Sequence, residues 1–208
     1  MVRPIGRGID AACRNALCKI GQHEAGHHMT ARRLGFKTGE ITLTVTDDRG
    51  GHEAGAVILP ASSLYGVENI LSYLNNRVIV LYAGALAESL ERGRPNIDHA
   101  RACLNEKGGE VDNAKARELI HLIRNIKHPD TQSEEDVQCE LDLIADKLWQ
   151  KTTELVVEDH YIIVAIGQKL AAGIDKSGQK STLSEDELEK LVEKGRLFRK
   201  QVGALPVK

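Results

Sequence analysis

The segment Ile20-Gly21-Gln22-His23-Glu24-Ala25-Gly26-His27-His28 constrains this chain more than any other. Two histidines stand four residues apart, with a glutamate directly after the first. They can serve one ion only if the segment is helical. On a helix, positions i and i+4 share a face with β-carbons about 5–6 Å apart. Two imidazoles so placed can reach one tetrahedral Zn²⁺ at about 2.0–2.1 Å. Glu24 would then face the remaining, water-occupied position and act as general base on a water whose pKa the metal lowers towards about 7. The flanking sequence agrees. Residues 9–34 read as a helix, with Asp10 as N-cap and Gly35 as its stop. Gly21 and Gly26 weaken that helix by propensity, so they mark close packing or a bend. The expectation is a helix carrying His23 and His27 as metal ligands and Glu24 as catalytic base, with Zn²⁺ as cofactor.

Such a site needs a third protein ligand. Glu88 on a long apolar helix, Asp98 and His99 after Pro95, and Asp112 at a helix start all offer the right atoms. Residue type and spacing leave these alternatives open, because the fold could bring any of them in. A carboxylate that opens a helix is commonly a cap or a dipole partner.

The rest of the chain reads as mainly α, with one small sheet (α+β). Residues 40–46 alternate and are β-branched, so they predict a strand. Asp48-Arg49-Gly50-Gly51 is turn chemistry, and His52 to Leu59 predicts a second, antiparallel strand. Helical periodicity then runs from Gly66 to about Glu91 and is broken by Gly93-Arg94-Pro95. A short helix is expected over 97–105 and another from about Asp112 to Ile126, followed by a loop at His128-Pro129-Asp130. A long amphipathic helix begins at Ser133, with a break near Asp159. Gly173 to Gly178 reads as a turn. Ser184 and Glu187 form a capping box for a last helix to about Lys194.

Composition narrows the function. The chain has 208 residues, enough for one large domain or two small ones, and a net charge of −2. Near-neutral charge and 3% aromatic residues argue against a nucleic-acid partner. The longest apolar stretch, Val78 to Ala87, is too short to cross a membrane and reads as a buried helix. No signal peptide is legible at the N-terminus. Cys13, Cys18, Cys103 and Cys139 match no zinc or disulfide spacing, which fits buried or half-buried free thiols in a reducing cytoplasm. Two segments imitate motifs. His52-Glu-Ala-Gly-Ala56 repeats most of the zinc string but lacks the second histidine and lies in a strand. Gly173-Ile-Asp-Lys-Ser-Gly-Gln-Lys-Ser181 approaches a phosphate loop, but Gln179 interrupts it and no strand precedes it.

The string His23-Glu-Ala-Gly-His27, the hairpin after it, Ala83-Gly-Ala-Leu-Ala-Glu88, Gly108-Gly-Glu-Val-Asp112 and Ser181-Thr-Leu-Ser-Glu-Asp-Glu-Leu188 together resemble the peptidase domain of the FtsH family of membrane AAA proteases. The resemblance implies a zincin-like metallopeptidase fold, with a catalytic part over 1–130 and a C-terminal helical part over 131–208 packed on it. It implies Asp112 as third zinc ligand beside His23 and His27, and Glu88 as a supporting carboxylate rather than a ligand. It also implies that strand 52–59 binds substrate as an added strand. The stretch 94–107 looks like an insertion, which keeps Asp98 as a rival to Asp112. His28 replaces a residue usually small and apolar, and reads as a surface or supporting histidine. The activity implied is a zinc-dependent endopeptidase acting on unfolded or flexible polypeptides. A regulatory protease that cleaves one repressor-type partner, or a catalytically idle binding module, are the alternatives. Without the family's membrane anchor and motor, such a chain would depend on a separate ATPase partner for folded substrates, and could form a homo-oligomer.

Overall fold

The computed structural model describes residues 8–46, 51–60, 62–105 and 108–203. Helix α1 (Ala11–Arg33) is followed by strands β1 (Lys37–Val45) and β2 (His52–Leu59), then helix α2 (Gly66–Glu88). Two-residue strands β3 (Leu90–Glu91) and β4 (Arg94–Pro95) lead to α3 (Ile97–Asn105) and α4 (Glu110–Lys127). The long α5 (Glu134–Ala172), strand β5 (Lys180–Leu183) and α6 (Glu185–Gly203) complete the chain. The fold is mainly helical with a small antiparallel sheet, as expected. The expected turn at Asp48-Arg49-Gly50-Gly51 lies, apart from Gly51, outside the described residues.

Helix α1 is the axis of the molecule. Asp10 caps it, its carboxylate accepting from the Cys13 amide at 2.7 Å. Gly35, at φ +83°, lets the chain leave it in the left-handed region that side chains resist. Its two glycines are contact points, not bends. A β-carbon at Gly21 would lie 2.9 Å from the Gly167 Cα of α5. One at Gly26 would lie 2.5 Å from both the Ala83 carbonyl oxygen and the Ala87 β-carbon of α2. Only glycine lets α1 sit backbone to backbone against both neighbours.

The core forms around this axis. Leu17, Ala25 and Met29 of α1 pack with Leu86 of α2, Ile163 and Ile166 of α5, Ile41 and Leu43 of β1, and Leu188 of α6. A second cluster joins α2 to α3, α4 and the first half of α5, through Val78, Tyr82, Cys103, Ile120 and Leu148. The stretch from Val78 to Ala87 is a buried helix segment, as its composition predicts. By length and apolarity α2 could cross a membrane, but 61% of that window is buried inside the fold.

The sheet has the order β2-β1-β5, all antiparallel, so β2 is an edge strand. Several details differ from the sequence reading. Strand β5 was not expected: its four residues alternate in burial too briefly to signal a strand, and pairing with β1 makes it one. Helix α2 stops at Glu88, three residues early. Arg92 (φ 50°) and Gly93 (φ 83°) form a left-handed turn that pairs β3 with β4. Helix α5 runs unbroken for 39 residues through Asp159. That carboxylate is 3.4 Å from the Arg33 guanidinium of α1, so its charge is compensated and the helix need not open there. Helix α6 continues past Lys194 to Gly203. All four cysteines are free thiols, but Cys139 is exposed rather than buried.

Candidate metal centre

His23 and His27 lie on the face of α1 that meets α2, and both are buried. Their rings are 4.7 Å apart, centroid to centroid, as the one-turn spacing requires. Asp112, in the first turn of α4, points its carboxylate between them. Its Oδ2 is 3.0 Å from the His27 Nε2 and 3.6 Å from the His23 Nε2. The three donor atoms lie within 4.8 Å of one another, and among the described residues they form a group that could hold a metal ion. Asp98 does not join it. It sits in the first turn of α3 with its side chain exposed, as does His99 beside it.

Helix α2 supplies the backing. The His27 Nδ1 donates to the Val80 carbonyl at 2.7 Å, because a carbonyl can only accept. The His23 Nδ1 lies 2.8 Å from the Glu88 Oε2 and donates to that carboxylate. Both rings therefore turn their Nε2 atoms toward Asp112. With no ion bound, Nε2–H donates to that carboxylate; on losing the proton, the same nitrogen offers the lone pair a metal ligand needs. Between Val80 and Glu88 stands Gly84. A β-carbon there would lie 2.5 Å from the His23 Nε2, and closer still to that of His27. The absence of that carbon keeps open the space onto which both imidazoles converge. Val80, Gly84 and Glu88 recur every four residues and make one stripe along α2.

Charge within the cluster is strongly coupled. Burial pulls the His23 imidazole down, but hydrogen bonds to Asp112 and Glu88 outweigh it and push the group up to about 9. Burial pushes Asp112 up, yet hydrogen bonds from His23 and His27 hold it far below the usual carboxylate range. Glu88 is lowered in the same way, burial being outweighed by its bond with His23. Protons and a cation thus compete for one set of donors.

Glu24 is half-buried beside His23 and lines the cleft that opens over the three donors, about 300 Å³ in volume. Gly55, Ala56 and Ile58 of β2 form the wall opposite. The edge strand expected to receive substrate therefore borders the site. Glu88, bonded to the His23 Nδ1, lies outside the three-donor group. His28 is a correction. It is not at the surface and makes no hydrogen bond to the cluster; it is 1% exposed, and neither ring nitrogen has a hydrogen-bond partner. Burial, and then the nearby Arg32 charge, lower it to about 4, so it is a neutral core residue.

The two imitations behave as strand and turn. His52-Glu-Ala-Gly-Ala56 is extended in β2. In the segment from Gly173, the Gln179 side chain accepts from the Asp175 amide at 2.6 Å and the Lys176 amide at 3.1 Å. Those donors, which a phosphate loop would offer to an anion, are already used. Sequence reasoning missed Gly84 and the Val80 carbonyl. The signal for Gly84 was its position four residues before Glu88 in an otherwise apolar helix. No sequence signal marks a backbone carbonyl. No protein-family model matches the chain, and no curated protein matches it.

Proposed function

We propose that the protein is a zinc-dependent endopeptidase of zincin-like fold, cutting unfolded or flexible polypeptides in the cytoplasm. The observation that carries this reading is the convergence of His23, His27 and Asp112, each imidazole braced through its Nδ1, with Glu24 on the same cleft. Two imidazoles and one carboxylate suit zinc, whereas calcium and magnesium favour all-oxygen sets. With three protein ligands a fourth position stays open, the mark of catalytic rather than structural sites. Zinc bound there would supply Lewis acidity and lower the pKa of a bound water.

The chain's own residues do the rest. Glu88 and the Val80 carbonyl orient the imidazoles. Gly84 leaves room for the ion. Glu24 accepts the proton of the attacking water and passes it to the departing amine. A shallow cleft beside a sheet edge admits an extended chain more readily than a folded one, which favours substrates that are flexible or unfolded by a separate ATPase partner.

Metal analysis of purified protein should find about one Zn²⁺ per chain, lost in His23→Ala. Glu24→Gln should keep the metal and lose cleavage of casein. Cleavage retained by Glu24→Gln removes the proposed base. Metal held by a wild-type protein that cleaves nothing would favour an idle binding module.

A further inference from the structure

The site opens into two clefts, not one, and the charged side chains that lie in only one cleft and outside the histidine cluster differ in sign between them. Both share His23, Glu24 and Gly108, and strand β2 walls both. At the 52–54 end, a cleft of about 360 Å³ is lined by Glu53 and Glu88, with His52 beside them. At the 55–58 end, the cleft is lined by Arg77 of α2 and Lys115 of α4. Residues 53 to 58 of an extended strand span about 16 Å, the reach of some five residues of a peptide lying alongside. Glu24 stands where the two clefts meet.

The cations are placed to be read. Lys115 lies one helical turn beyond Asp112 on α4, is exposed, and enters no ion pair among the described residues. Arg77 is half-buried, and its guanidinium lies 6.0 Å from the centroid of the Phe36 ring. That contact holds the charge in place without neutralising it. Asp112 is engaged with the two histidines, so it does not cancel them.

We infer that the groove along β2 is charge-polarised: it accepts an acidic substrate side chain at the 55–58 end, against Arg77 and Lys115, and disfavours one at the 52–54 end, against Glu53. This rests on the peptidase reading and gives it a substrate preference. An extended peptide would then be cut where an Asp or Glu lies on one side of the scissile bond and not on the other.

The test moves a single Asp, Gln or Lys through each position of a neutral, fluorogenic ten-residue peptide. Cleavage sites are read by mass spectrometry and kcat/KM by fluorescence. Binding of the same peptides to chelator-stripped Glu24→Gln protein is read in parallel by anisotropy. Wild type should prefer Asp over Lys on one side of the cut by about tenfold, the size of one or two partly screened charge pairs. Arg77→Gln with Lys115→Gln should bring that ratio close to one, and Arg77→Lys should restore part of it. A wild type that cleaves the set without a one-sided charge preference overturns the inference, as does a preference unchanged in the double variant. A wild type that cleaves nothing overturns the peptidase reading, and the binding series then decides the charge preference separately. Absence of binding by every peptide overturns both.

Discussion

At the scale of single residues, two positions carry more than their types suggest. Gly84 contributes nothing by contact and a great deal by omission. Gly84→Ala would drive a methyl group into the point where both Nε2 atoms converge. The imidazole tips can rotate aside, so the helix should survive and the metal site should not. The expected outcome is zinc affinity reduced by at least about tenfold, by competition with a chromogenic chelator, with little change in Tm. His28 is the opposite case, a polar residue buried as though apolar. Its pKa is about 4 in the folded chain against 6.5 in the unfolded one. Between those values the unfolded state binds the extra proton, so stability rises with pH and is lost as pH falls from about 6.5 to about 4. That difference corresponds to about 3 kcal/mol. Urea unfolding at pH 7 and pH 4.5 should show this loss in wild type and a smaller one in His28→Leu. The histidine string was plain in the sequence. The fate of His28 was not, because one residue's step of about 100° around a helix separates cleft from core only once the neighbours are known.

At the scale of elements, the contact of α1 with α2 and α5 determines whether the site exists. Helix α1 carries His23, His27 and Glu24, but α2 aims the rings. The two helices can approach closely enough only because Gly26 meets Ala83 and Ala87. On the other side Gly21 meets Gly167, whose own β-carbon would lie 2.7 Å from the Cys18 carbonyl oxygen. Gly167→Val would wedge α5 from α1 and should cost about 2–3 kcal/mol in urea unfolding, since the obstacle is backbone and cannot rotate away. Local elements with strong punctuation were legible. Helix α1 had Asp10 and Gly35, β2 had Pro60 after it, and α3 was bounded by Pro95 and Gly108. Helix α5 was read as broken at Asp159 because a charge on an apolar face looks like an interruption when its partner, Arg33, lies more than a hundred residues away. Strand β5 was missed because four residues hold too little period, and its partner β1 is equally remote.

At the scale of the whole molecule, the site ties together parts of the chain that have no local reason to meet. His23, Glu88 and Asp112 lie far apart along the chain, on α1, α2 and α4. An ion held by α1 and α4 should therefore stabilise the fold as a whole. Free Zn²⁺ at about a thousand times its dissociation constant adds about 4 kcal/mol. A thermal shift on adding Zn²⁺ should appear in wild type and in Asp98→Ala, and should vanish in Asp112→Ala. A shift lost in Asp98→Ala instead would return the third ligand to α3. The sequence by itself determined the local matters: which segments are helical, that two histidines share a face, and that a glutamate stands beside them. Those follow from spacing and capping, which act over a few residues. Only the tertiary structure decided which carboxylate joins the histidines, which one braces them, where a missing side chain leaves open space beside both imidazoles, and which charged side chains line each end of the groove. Those depend on packing between distant segments, whose geometry no local pattern encodes.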